Sequence, residues 1–420
     1  MRNEAEPQVS LGDPSESWHR SDPIFEEAIL RPFTSMSLSE IADWASLRHI
    51  EVVAWRDHDD PEAGGSELHA HRILSAWSSA GLSVDMITSS VVGAPERIER
   101  DGYRVARRKG RYAIFPDTVA AGLAGRLGRG DGLVEIWNGM PFFSPLWARC
   151  PRVVFLHHVH AEMWNMVLPP GLARLGNLIE RRVAPPVYRK SRIITLSSSS
   201  KAEIVQLLKL PAENISVVPP GVEPRFSPGS ERSESPLVVA VGRLVPVKRF
   251  ELLIDALLQL KRRHPDLRAV IAGEGYERSA LEARIRAGNA SDWISLPGFV
   301  DDDALVELYQ KAWVVTSSSL REGWGMTVTE AGACETPAVV SRIGGHKDAV
   351  TDQESGVLFD DPDEMIDALD LLLTDEVARK RLGIGASDHA ARYRWDATAR
   401  AVLAVLALEA ARRQGHTPKP

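Results

Sequence analysis

One pattern runs through the sequence twice. From His49 onward, short apolar runs alternate with segments of helical periodicity: HIEVVAW, LHAHRILSAWSSAG, LSVDMITSS, VEIWN, RVVFLHHVH, RIITLSSSSKAEIVQLL and ISVVPPG. Such alternation predicts a parallel sheet whose faces are covered by crossover helices. The periodicity stops over residues 217–236, VVPPGVEPRFSPGSERSESP, where Pro, Gly and Ser break regular structure. It restarts with LVVAVGR and continues through RFELLIDALLQLKRRH, LRAVIAG, ERSALEARIRAG, WISLPGF, ALVELYQKA and WVVTSSS. The fold class is therefore α/β, with two doubly wound, Rossmann-like domains. Two such domains on one linker leave a central cleft between the carboxyl edges of their strands, where open α/β sheets bind ligands.

Length agrees with two domains, since 420 residues exceed what one hydrophobic core usually organises. The expected division is an N-terminal extension over 1–47, partly disordered because its Pro/Ser/Glu-rich start buries little, a first domain over 48–220, a second over 221–395, and a C-terminal helix and tail over 396–420. Within the extension, FEEAIL and IADWASL have the pattern of short helices. A formal net charge of -7 argues against nucleic acid as the main partner. The only two cysteines, Cys150 and Cys334, have no companions at metal-ligand spacing, which fits a reducing cytoplasm. No apolar run reaches the roughly 18 residues of a membrane span, and the acidic N-terminus is unlike a signal peptide. The expected location is the cytoplasm. LARLGNLIERRVAPPVYRKSR is basic and partly amphipathic, which raises peripheral contact with the inner face of a membrane.

Candidate site residues collect at the ends of the apolar runs. In EAGGSELHAHR, Gly64 and Gly65 allow close backbone approach and open a helix whose free N–H groups suit an anion; the alternative is a plain helix entry capped by Ser66. Arg243 and Lys248 follow LVVAV directly, and a guanidinium fork plus an ammonium suits a pyrophosphate. His157, His158 and His160 end another apolar run. Zinc would need further ligands that the spacing does not supply, so no metal is expected, and the choice is between cleft histidines that hydrogen-bond a sugar or hydroxyl and satisfied structural ones.

REGWGMTVTEA carries two carboxylates, Glu322 and Glu330, eight positions apart. On a continuous helix they would stand roughly 12 Å apart on different faces, too far to share a proton. They suit two parts of one long ligand. Gly323 and Gly325 free the turn, so its amides, with those of Trp324, Met326 and the following Thr327, can face hydroxyls or phosphate. Glu322 would take hydroxyls of a polar ring and Glu330 a ribose diol.

Together these residues resemble the retaining glycosyltransferases of family 4, which have the GT-B fold. EGWGMTVTE is the paired-glutamate motif E-x7-E, and AGGSE, FLHHVH, SSSSKAEIV, VVPPGVEPRF, VGRLVPVKRF, AGEGYE, LPGFVDDDAL and ESGVLF follow in the family's order across most of residues 48–400. The resemblance implies transfer of a hexose-type sugar from a UDP- or GDP-sugar, with retention, to a hydroxyl-bearing small-molecule, glycan or lipid-linked acceptor. It implies no cofactor and no obligatory metal. Arg243 and Lys248 would hold the diphosphate, Gly65 would lie beside it, Glu322 and the turn at 323–326 would hold the sugar, Glu330 the ribose, and Gly298, Phe299 and Val300 would frame the base. His160 matches the family's cleft histidine. Trp324 stands where many relatives have phenylalanine, with a consequence expected in the sugar pocket, and Glu335 where many have glycine. The first domain would be the acceptor side, with His157, His158, Asn138, Trp164 and the basic Arg107 and Arg108 as candidates, the two arginines suggesting an anionic acceptor. The C-terminal helix would cross back to the first domain. The alternatives are a nucleotide-sugar epimerase of the same architecture and a degenerate transferase acting as an interaction module.

Overall fold

The computed structural model describes residues 29–415. Most of FEEAIL and the Pro/Ser/Glu-rich start lie outside the described residues, as does the end of the tail. The first sheet has eight strands: β1 (His49–Val53), β2 (Ser83–Thr88), β3 (Arg97–Arg100), β4 (Tyr103–Arg107), β5 (Gly132–Ile136), β6 (Arg152–Phe155), β7 (Arg192–Thr195) and β8 (Ile215–Val217), in the spatial order 3-4-2-1-5-6-7-8. All its pairings are parallel except β3 with β4. The second sheet holds β9 (Leu237–Val241), β10 (Arg268–Ala272), β11 (Ile294–Gly298), β12 (Val314–Ser317), β13 (Ala338–Ser341) and β14 (Gly356–Phe359), in the order 11-10-9-12-13-14. That sheet is wholly parallel, and its order is the doubly wound one that reverses direction beside its first strand.

Six helices line the cleft or brace the first domain: α1 (Leu38–Trp44), α2 (Gly65–Ser79), α3 (Pro170–Leu178), α4 (Met326–Ala333), α5 (Gly344–Ala349) and α6 (Trp395–Arg413). α6 is apolar on nearly every side and is buried along almost its whole length. It lies against α1, α2 and β6 in the first domain. Leu30, Phe33, Ile41 and Leu47 enter the same core cluster, and Arg400 donates to Thr34 O at 3.1 Å. The described part of the N-terminal segment is thus first-domain core, covering a helix that would otherwise expose a greasy face.

Two strands of chain cross between the domains side by side. Val222 N donates to Tyr393 O at 3.1 Å, and Thr398 Oγ1 donates to Pro219 O at 2.8 Å. Buried carboxylates fix the loops at the ends of the first sheet by accepting backbone N–H groups, which satisfies both partners. Glu135 accepts from Phe142 and Ser144 at 2.6 and 3.1 Å, and Glu180 from His160 and Ala161 at 2.7 and 3.0 Å.

Candidate active site

The carboxyl ends of the two sheets face each other, and the sequence candidates of the second domain come together there. Arg243 follows β9 in the loop before the next helix. Lys248 folds back across Gly242 and donates from Nζ to Glu322 Oε1 at 2.5 Å. Ser319 Oγ donates to the same oxygen at 2.7 Å. Burial alone would raise the Glu322 carboxyl, but the Lys248 ammonium, His346 and these hydrogen bonds outweigh it and hold it at about 2. Glu322 is therefore an anion at any physiological pH.

Glu330 is its electrostatic opposite. It sits inside α4, 7% exposed, and its main partner is the Tyr309 hydroxyl at 3.3 Å. Burial raises its carboxyl to about 7; the Tyr309 hydrogen bond pulls the other way, and Glu223 and Asp302 add to the rise. The two glutamates thus lie in different settings, one on the cleft loop and one in the helix.

The turn between them is shaped by contact across the cleft. A Cβ on Gly323 would lie 2.6 Å from His157 O of the first domain, so no larger residue fits. Gly325 has φ +119°, a left-handed value that favours glycine, and starts α4. A Cβ on Gly65 would come 3.1 Å from Met326 Sδ, and one on Gly64 3.7 Å from Arg243 Nε. The N-termini of α2 and α4 therefore meet from opposite domains, with Arg243 beside the first of them, and the positive end of a helix dipole lies at each. Thr327 lies half-buried in the first turn of α4. Trp324 differs from expectation: its ring packs edge-on to Tyr393 at 4.9 Å in a small apolar cluster with Leu196 and Ala349. Ser66 also differs. Gly64 occupies the cap position, its N–H donates to Glu67 at 2.8 Å, and Ser66 Oγ instead accepts from Asn138 Nδ2 at 3.3 Å.

On the first-domain side His158 and His160 stack with ring centroids 5.0 Å apart, and His160 lies against Trp164, also at 5.0 Å. Burial lowers both imidazoles, His158 to about 4, so both are neutral at pH 7. They can exchange hydrogen bonds there but supply no charge. His157 is a packing residue, its Nε2 3.3 Å from His69 Nδ1 and its ring stacked on Phe155. Trp164 Nε1 is taken by Glu180 at 3.0 Å.

The basic run requires a correction. Arg107 is 4% exposed and lies in the protein, bound to Asp57 at 2.7 Å and to Asp59 at 2.5 Å, while Arg108 pairs with Asp117 at 3.2 Å. Strand alternation puts Arg107 on the inward face of β4 with Tyr103 and Val105. It offers no free cation to an acceptor. Gly298 ends β11 at φ +86°, followed by half-buried Val300 and by Phe299, 82% exposed.

Three contributors were not singled out from the sequence. Arg56, after β1, has a buried side chain that faces Glu67 at 3.3 Å and Glu62 at 3.4 Å; it also lines a cavity of about 10 Å³ with Ser66 and Asn138. Its place after the first strand of its domain matches that of Arg243, which was the available signal. His346 in α5 and Ser319 in the loop after β12 support Glu322, and no local pattern marks them. Among the described residues, no group of three or more His, Cys, Asp or Glu could hold a metal ion.

Two facing, mainly parallel sheets linked by paired crossings have the GT-B architecture. The profile described as Glycosyltransferase Family 4 matches residues 63–226, and that of Glycosyl transferases group 1 matches residues 223–389. The chain belongs to glycosyltransferase family 4. It is 34% identical over 397 residues to the D-inositol 3-phosphate glycosyltransferase of Acidothermus cellulolyticus, covering 82% of this chain and 85% of that one. It is 35% identical over 390 residues to the enzyme of the same name from Corynebacterium urealyticum, covering 81% and 90%. Among solved structures, sucrose-phosphate synthase from Thermosynechococcus elongatus has the same fold, with a TM-score of 0.72 at 21% identity over 84% of this chain and 96% of that one. Anabaena HepE in complex with UDP and glucose superposes with a TM-score of 0.66 at 17% identity, over 84% and 98%. The two sequence relatives are named as glycosyltransferases, which does not favour the epimerase alternative.

Proposed function

We propose that the protein transfers a hexose-type sugar from a UDP- or GDP-sugar to a hydroxyl of its acceptor with retention of configuration. The observation that supports this reading most directly is the convergence of the α2 and α4 N-termini with Arg243 and Lys248 in the cleft. That arrangement suits a diphosphate, with the Arg243 fork and the Lys248 ammonium stabilising the leaving group. Lys248 is paired with Glu322. Drawing the ammonium toward phosphate would leave Glu322 ionised and able to accept hydroxyls of the sugar. Its role is to position the ring in a front-face displacement through an oxocarbenium-like state, not to form a covalent bond. Glu330 accepts the ribose diol, and neutral His160 lies on the acceptor side. The acceptor is a hydroxyl-bearing molecule; the relatives' names point to a phosphorylated cyclitol as the first to assay, and Arg107 is not its anion site. Domain closure around the ligand expels water and completes the site.

The test is the melting temperature of the purified protein with UDP, GDP, ADP and dTDP, since a ligand bound only by the native state raises it. One nucleotide should stabilise the wild type, and Arg243→Ala and Glu330→Ala should weaken that response. No response at millimolar nucleotide, followed by no turnover of intact sugar nucleotides, would overturn the proposal.

A further inference from the structure

One face of the first domain is at odds with the acidic character of the chain. Along α3 and the wider helical turn that continues it through Val183, Ala173, Gly176 and Glu180 point into the domain. On the other side Leu172, Leu175, Leu178 and Val183 are exposed by 55%, 50%, 53% and 46%. A single exposed leucine needs no explanation, but leucines at i, i+3 and i+6 form a continuous apolar stripe. Arg174, Arg181 and Arg182 stand exposed around it, and none forms an ion pair with a described residue. This basic, leucine-faced helix belongs to a chain whose net charge is -7.

We propose that this face docks on an anionic lipid bilayer. The leucines would enter the boundary between headgroups and acyl chains while the arginines meet lipid phosphates, the arrangement of an interfacial amphipathic helix. A second copy of the chain is the poorer occupant. A two-fold contact through this face would set Arg181 and Arg182 against their own counterparts, which repels. No described helix is long and apolar enough to cross a membrane, so the contact would lie in the interface plane. The surface is also tied to the cleft. Glu180, on the buried side of the same helical run, holds the N–H groups of His160 and Ala161 and the indole of Trp164. Docking would bring the acceptor side of the cleft to the headgroup layer, and it requires no nucleotide donor.

Flotation of the full-length protein tests this, using phosphatidylcholine vesicles with and without about one third phosphatidylglycerol. The wild type should float only with the anionic vesicles and should release as salt is raised. Leu172→Ser, Leu175→Ser and Leu178→Ser combined should abolish flotation while the melting temperature and the nucleotide response stay unchanged. Arg181→Gln with Arg182→Gln should weaken partitioning by about fivefold per arginine and flatten its salt dependence. A wild type that stays at the bottom of the gradient would overturn the proposal, as would leucine variants that float undiminished. A wild-type dimer in light scattering that the leucine variant turns into a monomer, without flotation, would assign the face to a second copy instead.

Discussion

Lys248 Nζ meets Glu322 Oε1 at 2.5 Å, with each side chain only 19% exposed, so the cation proposed for the diphosphate is also the counter-ion of the sugar-side carboxylate. Lys248→Met should lose transfer activity by at least about a hundredfold through the lost leaving-group charge. It should also destabilise the protein by about 3 kcal/mol, because an uncompensated carboxylate remains in the site. Adding Glu322→Gln should recover most of that stability and none of the activity. Denaturant melts alongside turnover of the sugar nucleotide read both effects; recovery of activity in the double variant would contradict the assigned role of Lys248.

The two glutamates make opposite predictions for pH. Glu322 is held at about 2, below its unfolded value of 4.5, so its contribution to stability is present above pH 4.5 and is lost as pH falls toward 2. Glu330 is raised to about 7, so its contribution is present below pH 4.5 and is lost as pH rises through 7. Relative to wild type, Glu322→Gln should therefore gain on acidification, whereas Glu330→Gln should gain between pH 5 and 8, each by on the order of 3 kcal/mol. If Glu330 accepts ribose hydroxyls, nucleotide affinity in the wild type should tighten as pH rises from 6 to 8, because the ionised carboxylate is the better acceptor. In Glu330→Gln only the weaker dependence due to the nucleotide's own terminal phosphate, which ionises at about pH 6, should remain. Calorimetric titration across that range measures it.

Much of the architecture is legible because strand and helix periods repeat cleanly in both halves and the linker interrupts them. The glycine-rich loops are legible for the same reason: each follows a strand directly, and the structure brings Gly64, Gly65, Arg243, Lys248, Glu322 and Met326 to one cleft. The rest is set by tertiary packing. The cross-cleft contact of Gly323 with His157 O and the support of Glu322 by His346 join residues far apart in sequence. Trp324, expected at the sugar pocket, instead fills the gap beside Tyr393 near the paired crossings. Arg107 sits in a basic run that suggests a cation open to solvent or acceptor, although the alternation of Tyr103, Val105 and Arg107 already marks an inward face.

Gly323 is the tightest cross-domain fit in the site. Gly323→Ala places a methyl 2.6 Å from the His157 carbonyl oxygen, and neither backbone yields readily, so the domains must separate. Turnover should fall about a hundredfold, the scale of a 1 Å misplacement of catalytic groups. Small-angle scattering should report a larger radius of gyration. The control is Gly171→Ala, where nothing lies within 4 Å of the added methyl; it should leave both readings unchanged.

Arg107 and Arg108 are adjacent in sequence and should behave as different kinds of residue. Arg107→Gln removes a guanidinium from Asp57, whose side chain is 0% exposed, and leaves Arg100 as its remaining cation at 3.6 Å. A buried carboxylate that loses its closer partner costs about 3 kcal/mol, so the melting temperature should drop clearly. Arg108→Gln breaks only a partly exposed pair with Asp117 and should change stability by no more than about 0.5 kcal/mol. Neither should alter the Michaelis constant for acceptor in the protein that remains folded, because each guanidinium is already engaged by an aspartate. Steady-state kinetics below the variants' melting range decide the point. A selective rise in that constant for Arg108→Gln would restore the anionic-acceptor reading and locate its phosphate beside β4.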